Sequence, residues 1–212
     1  VAGFLAKDNK VYEDVRNNVD VHSFTASVLG VSRQDAKADT FKPLYGGLLG
    51  TQKQMEYYRA FKSKYSKITQ WHEDLQNDAI TNKRVVLPSG RYYNFNNVYR
   101  MRYGGVSNST AIKNYPVQGF ATADLLPIAL IKLKKLLTDR QMLSIICNTV
   151  HDSIVMDVHP DEQESAVQTM KEAMLSLPEE CKSRYNIDYD MPIGIEIKIG
   201  NNWLDMKEIY KS

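Results

Sequence analysis

Apolar positions set the first outline of the chain. Val11, Val15 and Val19 recur four apart, and Val21, Phe24, Ala26 and Val28 follow, so residues 1–30 read as mostly helical. A second helical pattern starts at Ser32 and runs to a Gly-rich stop, YGGLLG, at 45–50. Across Gln52–Asn77, Tyr57, Tyr58, Phe61, Tyr65 and Trp71 return at roughly helical spacing, which predicts one long, charged, Tyr-rich helix. RVVLPSGRYYNF (84–95) reads as strand, turn and strand around Ser89-Gly90, with a second short β-like stretch near Val98–Tyr103. Pro116–Leu137 returns to helix, LSIICNTVHDSIVMDVH (143–159) reads as a hairpin, and Asp161–Leu177 is an amphipathic helix. IGIEIKIG (193–200) alternates strictly, as a half-buried strand does. Helices and short antiparallel strands mix without a βαβ rhythm, which makes the fold class α+β.

Composition narrows this little. The 212 residues suffice for one large domain or two small subdomains, and 43% hydrophobic with 25% charged residues is ordinary for a globular protein. A net charge of +2 argues neither for nor against nucleic acid. The longest apolar run, around Leu125–Leu133, is interrupted by Pro127 and Lys132, so no membrane span is expected. Cys147 and Cys181 make no disulfide framework, which points to a reducing, intracellular and cytoplasmic setting. The opening VAGFLAKDNK has no initiator Met, no signal-peptide character and no capping signal, and reads as a piece of something longer.

Three stretches carry candidate chemistry. In NTVHDSIVMDVH (148–159), His151 and Asp152 sit between apolar runs, at or near the hairpin turn. A carboxylate there suits a hard divalent cation such as Mg²⁺, although Asp is also a favoured turn residue and a plain turn needs no function. Arg33, Lys37, Phe41 and Tyr45 lie four apart and form one slowly spiralling helical stripe. Two cations and two aromatics on one face could hold a triphosphate and stack a base; an aromatic core patch under solvated charges is the simpler alternative. Pro43 removes the hydrogen bond to Asp39, so a kink, or a break just before it, is expected. In NYPVQGFATAD (114–124), Asn114 and Gln118 could donate to minor-groove acceptors, or could simply open a helix.

In order, the motifs are R-x3-K-x3-F-x3-Y-G, then N-x3-Q-G, then V-H-D. That order resembles the polymerase domain of family A DNA polymerases, the group related to bacterial DNA polymerase I. The signature D-x-H-[ST]-x-T-A at Asp20, His22, Ser23, Thr25 and Ala26 agrees, as do Gly90-Arg91 in PSGRYYNF and the IGNNW segment at 199–203. The likeness covers residues 1 to about 206.

The resemblance implies a palm, with an antiparallel sheet and a catalytic hairpin at 143–159, plus helical fingers, in an incomplete right-hand architecture. Residues 1–115 would be mainly fingers and 116–212 palm. It implies a template-directed polymerase that adds deoxynucleotides to a primer 3′ end with two Mg²⁺ ions, Mn²⁺ being an alternative. By the same likeness Arg33 and Lys37 face the incoming triphosphate, Lys37 doubling as proton donor to the pyrophosphate. His22 touches the triphosphate, Phe41 packs on the nucleotide and Tyr45 guards the templating base. Arg91, Asn114 and Gln118 contact primer–template DNA, His151 the primer terminus, and Asp152 is one of two metal-binding carboxylates.

Departures are informative. The other metal-binding Asp of the family lies in a D-[FY]-S-x-I-E-L-R motif, which has no counterpart in these residues. A fragment, a split enzyme whose partner chain or upstream segment supplies that Asp, and a remnant without activity that binds DNA are the alternatives. H-D-E has become H-D-S at Ser153, Lys42-Pro43 replaces a small and an apolar residue, Thr110 stands where Arg is usual, and Pro127 interrupts the helix after Gln118. A divergent, phage-like lineage fits these differences.

Overall fold

A computed structural model describes residues 1–45 and 50–212; the Gly-rich stop at 46–49, with the Gly46 of the motif, lies outside the described residues. The chain divides into two compact units, Val1–Gly119 and Phe120–Ser212.

The first unit is helical with one small hairpin. The mostly helical start is three short helices: α1 (Ala2–Ala6), α2 (Asn9–Arg16) and α3 (Val21–Leu29). Asp8 and Asp20 cut the sequence into these pieces, because each accepts backbone N–H groups of the helix that follows it. Helix α4 (Arg33–Tyr45) continues through Pro43 without the expected break. The proline lies near the helix end and is buried, so only one hydrogen bond is lost there. The long helix expected over Gln52–Asn77 is two, α5 (Gln52–Lys64) and α6 (Ser66–Thr81), parted at Tyr65. The break has a physical cause: the buried Asp8 carboxylate accepts Lys67 N at 3.1 Å and Ile68 N at 3.2 Å, capping a fresh helix start.

Tyr57, Tyr58, Phe61, Tyr65 and Ile68 pack with Ala6 and Leu29 into one core. Leu75 and Ala79, farther along α6, join a second core with Val85, Phe95, Val98, Val106 and Ile112. Strands β1 (Arg84–Val86) and β2 (Tyr92–Asn94) pair antiparallel around a turn in which Gly90 takes φ 86°. The β-like stretch after them is a single bridge between Arg100 and Val106. Helix α7 (Ser109–Gln118) begins seven residues before Pro116 and carries that proline inside it.

A π-helical stretch over Gly119–Leu125 leads into α8 (Leu126–Asp139). Pro127 therefore does not interrupt a helix; it falls in the first turn of α8, where the hydrogen-bond register changes. In the second unit α8 packs against α9 (Gln163–Leu175), with Leu133, Leu137 and Ala173 as the core. Helix α10 (Leu177–Tyr185) follows. Strands β3 (Ile145–Val150) and β4 (Ser153–Asp157) form the anticipated hairpin, and β5 (Glu196–Ile199) pairs with the C-terminal β6 (Lys207–Lys211). The expectation of one antiparallel palm sheet is corrected: among the described residues every sheet has two strands. Register shifts at Ile146/Asn148 and Ile197/Lys198 bulge both ladders of this unit, bending the strands while pairing continues on either side.

Candidate functional site

Helix α4 has two faces. Ala36, Asp39, Thr40 and Pro43 are buried, and polar contacts anchor that side. Thr40 Oγ1 donates to Thr25 Oγ1 at 2.9 Å, and Thr25 Oγ1 shares a 2.6 Å hydrogen bond with Tyr57 OH, tying α3, α4 and α5 together. Asp39 Oδ1 accepts from Tyr58 OH at 2.7 Å, Gln54 Nε2 at 2.9 Å and Lys42 Nζ at 2.9 Å. With that face fixed, Arg33, Lys37 and Phe41 fall on the other.

The described contacts bring most of the sequence-derived nucleotide set into one run. The His22 ring meets the Phe41 ring edge-on at 5.5 Å, and Phe41 stacks on Tyr45 at 6.3 Å. Phe41 is half exposed, so its ring remains available to a flat ligand. Asp20 caps α3 by accepting His22 N at 3.0 Å and Ser23 N at 3.2 Å. Its Oδ2 also takes Ser23 Oγ and Arg33 Nε, each at 2.7 Å. The hydrogen bond from Arg33, with those from Ser23, holds the Asp20 carboxyl well below the usual range. His22 is pushed down by burial, then by the charge of Arg33 and of Lys37, with Asp20 opposing. Its Nδ1 is buried with no hydrogen-bond partner among the described residues. Lys37 makes no salt bridge or hydrogen bond among the described residues and acts on His22 only through its charge. The D-x-H-[ST]-x-T-A pattern thus has a structural content: a cap for α3, a hold on Arg33, and the buried Thr25 hydroxyl.

Asn114 and Gln118 lie one turn apart on α7, half-buried and exposed respectively. The Gly that follows them is needed for space. A Cβ on Gly119 would come within 1.8 Å of Tyr93 OH and 2.8 Å of Tyr93 Cζ. Tyr93 and Phe95 pack on Tyr115 at 5.6 and 6.1 Å, which seats the first hairpin on α7. Arg91 stands exposed beside that hairpin's turn, its backbone carbonyl accepting Leu87 N at 2.7 Å.

In the second unit, Val150 pairs with Ser153, so His151 and Asp152 alone make the β3–β4 turn. Both are exposed, and His151 takes φ 55°. The Asp152 carboxylate makes no hydrogen bond or ion pair among the described residues. Ser153 Oγ donates to Val150 O at 2.8 Å, closing the turn beneath it. The apolar run that frames the pair is less buried than its pattern suggests. Ile146, Ile154 and Met156 pack on the core, whereas Leu143, Ile145 and Val150 are exposed. The base of the hairpin is gripped by Glu162, whose carboxylate accepts Leu143 N at 2.8 Å, Ser144 N at 2.8 Å and Ser144 Oγ at 2.6 Å.

Sequence reasoning gave no role to Asp20 beyond its place in a signature, and none to Glu162. Asp20 was findable as an N-cap residue before an apolar helix; Glu162 lies inside a helical pattern and carried no signal. Trp203, in the 199–203 segment, is 65% exposed and Leu204 92%. No group of three His, Cys, Asp or Glu among the described residues is placed to hold a metal ion. A polar groove of about 620 Å³ is lined by Asp78, Asn82, Lys83, Arg84, Val86, Asn94 and Asn96.

Two cations and two stacked rings on one face of α4, with the α3 imidazole of His22 edge-on to Phe41, form an arrangement suited to an anionic ligand that carries a flat base. The chain belongs to DNA polymerase family A, whose model matches residues 1–205. It is similar to DNA polymerase I of Lactococcus lactis subsp. cremoris (strain MG1363), at 30% identity over 98% of this chain and 25% of that protein. DNA polymerase I of Caldicellulosiruptor bescii is 25% identical over 98% of this chain and 25% of its own length. The chain therefore spans about a quarter of the length of these relatives. Among solved structures, the POL domain of Pol1 from M. smegmatis, in complex with DNA primer-template and dNTP, shares the fold. Its TM-score is 0.69 at 23% identity, over 83% of this chain and 34% of that one. Among the described residues no helix is long and apolar enough to cross a membrane.

Proposed function

We propose that this chain contributes fingers and palm to a template-directed DNA polymerase that adds deoxynucleotides to a primer 3′ end. The observation that carries the reading is the α4 face, on which Arg33, Lys37 and the Phe41–Tyr45 stack lie together with His22. Residues 1–115 are mainly fingers and 116–212 palm.

Each residue then has a physical task. Asp20 occupies Arg33 Nε and leaves the two Nη groups for phosphate oxygens. Lys37 neutralises triphosphate charge and donates a proton to the departing pyrophosphate. His22 touches the triphosphate, Phe41 packs on sugar and base, and Tyr45 guards the templating position. Arg91 meets the DNA backbone, Asn114 and Gln118 donate to minor-groove acceptors, and His151 steadies the primer terminus. Asp152, exposed and without a competing partner, fits a hard divalent cation as one oxygen donor. A pair of Mg²⁺ ions, or Mn²⁺ in their place, supplies charge neutralisation at the attacking and leaving oxygens. Two ions need more than one carboxylate, so the second donor comes from an upstream segment or a partner chain. The enzyme acts on DNA in the cytoplasm, with primer–template and dNTPs as its ligands.

Primer extension tests this. The chain alone is expected to extend no primer. Combined with a segment bearing the D-[FY]-S-x-I-E motif it extends, and Asp152→Ala then removes at least a hundredfold of the rate. Extension by Asp152→Ala at the parental rate overturns the metal assignment. Primer–template binding without extension in every combination favours a DNA-binding module instead.

A further inference from the structure

Charge that nearly cancels over the whole chain is unevenly placed. Residues 79–123 carry Lys83, Arg84, Arg91, Arg100, Arg102 and Lys113 and no Asp or Glu. All six cations lie in the first unit, and a run of one sign in a near-neutral chain marks a face for an anionic partner. Within the run, Tyr99, Met101 and Tyr103 are exposed and alternate with Arg100 and Arg102; Tyr99 is 63% and Tyr103 93% open to solvent. Backbone hydrogen bonds fix this stretch as a small hairpin. Arg100 bridges Val106, Ser107 N donates to Tyr99 O at 3.0 Å, and Met101 N donates to Gly105 O at 3.1 Å. Buried Val98 and Val106 anchor its base in the second core, so the rings are held out in water by a fixed backbone. Arg102 lies over the Tyr103 ring, 5.7 Å from its centroid, and makes no ion pair or hydrogen bond among the described residues. Two contacts join this tip to the polar groove beside β1 and β2. Lys83 Nζ donates to Val98 O at 3.3 Å, and Arg100 Nη2 donates to Asn77 Oδ1 at 2.7 Å, next to the groove residue Asp78. On the groove wall Arg84 stands 6.0 Å over the exposed Tyr92 ring, a second pairing of cation and ring. Asp78 is the one carboxylate lining the groove, and Asn82 Nδ2 donates to it at 3.1 Å.

We propose that this tip and groove form a binding surface for an unpaired DNA strand, with bases stacked on Tyr99 and Tyr103 and backbone phosphates met by Arg84 and Arg102. Every base offers a π-face, so such stacking tolerates any sequence, while each guanidinium pairs with phosphate or stacks in turn. An acidic protein segment would satisfy the cations and leave the flat rings without use. A duplex hides its base faces and would do the same. The proposal deepens the polymerase reading and rests on it for the choice of DNA, since a templated enzyme must hold a strand that has no partner yet. Arg84, Tyr99, Arg102 and Tyr103 lie outside every motif that carries the family likeness.

The test is fluorescence anisotropy of a labelled oligo(dT) of about 12 nucleotides with the 212-residue chain, in the absence of primer, dNTP and divalent metal. A failure of primer extension therefore leaves this result readable, and a failure here leaves the extension test untouched. Saturable binding is expected, weakened at least about tenfold in Tyr99→Ala/Tyr103→Ala and kept in Tyr99→Phe/Tyr103→Phe. Arg84→Met and Arg102→Met should each flatten the dependence of log K on log salt by about 0.7. Thermal unfolding of the variants, all at exposed sites, separates lost binding from lost fold. No saturable binding, or parental binding by Tyr99→Ala/Tyr103→Ala, overturns the proposal. So does equal affinity for a blunt duplex, or for polyglutamate of matched charge, the latter naming an acidic segment as the occupant.

Discussion

The carboxylate of Asp8 receives the backbone N–H of Ile68 at 3.2 Å, across sixty positions of sequence. Its other oxygen accepts Lys10 N at 3.0 Å and Val11 N at 3.2 Å, so one side chain caps α2 and α6 at once. Asp8→Ala is therefore expected to cost about 2–4 kcal/mol, twice an ordinary cap, because buried donors of two helices lose their acceptor together. Urea denaturation of the variant measures it. A loss under about 1 kcal/mol would show that the two caps are not coupled to the fold.

Acid should destabilise the chain through its paired carboxylates. Burial works to raise Asp14, but hydrogen bonds from Lys64 and Tyr65 outweigh it and the net direction is down. Glu180 is likewise lowered, burial being overcome by Lys132 and Arg184. A folded value below the unfolded one gives stability that is fully present above the ordinary values, 3.8 for Asp and 4.5 for Glu, and lost as pH falls below them through the lower folded values. Unfolding free energy is expected to hold from neutral pH to about 5 and then to fall. Asp14→Asn should lower the plateau by about 1–2 kcal/mol and make the acid fall shallower. Denaturation curves at pH 7, 5 and 3 decide the matter.

Gly119→Ala places a methyl group on the Tyr93 phenol. The variant is expected to lose about 1–3 kcal/mol, the usual cost of overpacking. Tyr93→Phe removes the nearest atom, so the double variant should lose less than the sum of the two single changes by about 1 kcal/mol. Strict additivity in a double-mutant cycle would exclude this contact as the reason for the glycine.

The hairpin tip separates stability from chemistry. His151 sits at φ 55°, where a Cβ is unfavourable, so His151→Gly should keep or slightly raise stability, while His151→Ile should lower it by about 1–2 kcal/mol. Asp152→Ala, at an exposed carboxylate without partners, should leave the unfolding midpoint within about 0.5 kcal/mol of the parent. A large stability loss in Asp152→Ala would give that carboxylate a structural task.

What could be read from the sequence depended on how far each cause lies along the chain. The β3–β4 hairpin was legible because its alternation and its polar pair are contiguous, and the α4 stripe because helical spacing is local. The break at Tyr65 was not, since the aromatic periodicity runs straight across it and the residue that starts α6 is Asp8. The opening stretch seemed to lack a capping signal, yet Asp8 within it caps two helices. Pro43 looked like a stop, but the buried side of α4, held by Asp39 and Thr40, carries the helix past it. Strand β6 went unread because four of its five residues are exposed and what holds it, pairing with β5 and the Lys171 ammonium over the Tyr210 ring, lies elsewhere in the chain. The hold of Asp20 on Arg33 was hidden for the same reason: spacing along a helix says nothing about a partner on another one.

The two-residue turn at His151-Asp152 also bears on how this gene can change. Substitutions in β3 and β4 alter packing by degrees, and the exposed Ile145 and Val150 show how loosely some positions are held. A codon inserted or deleted between Val150 and Ser153 is a different matter. It would break the closing pair, and a compensating slip of the ladder by one residue would turn every following side chain to the opposite face. Drift in residue type is thus tolerated around the tip, while drift in length is not.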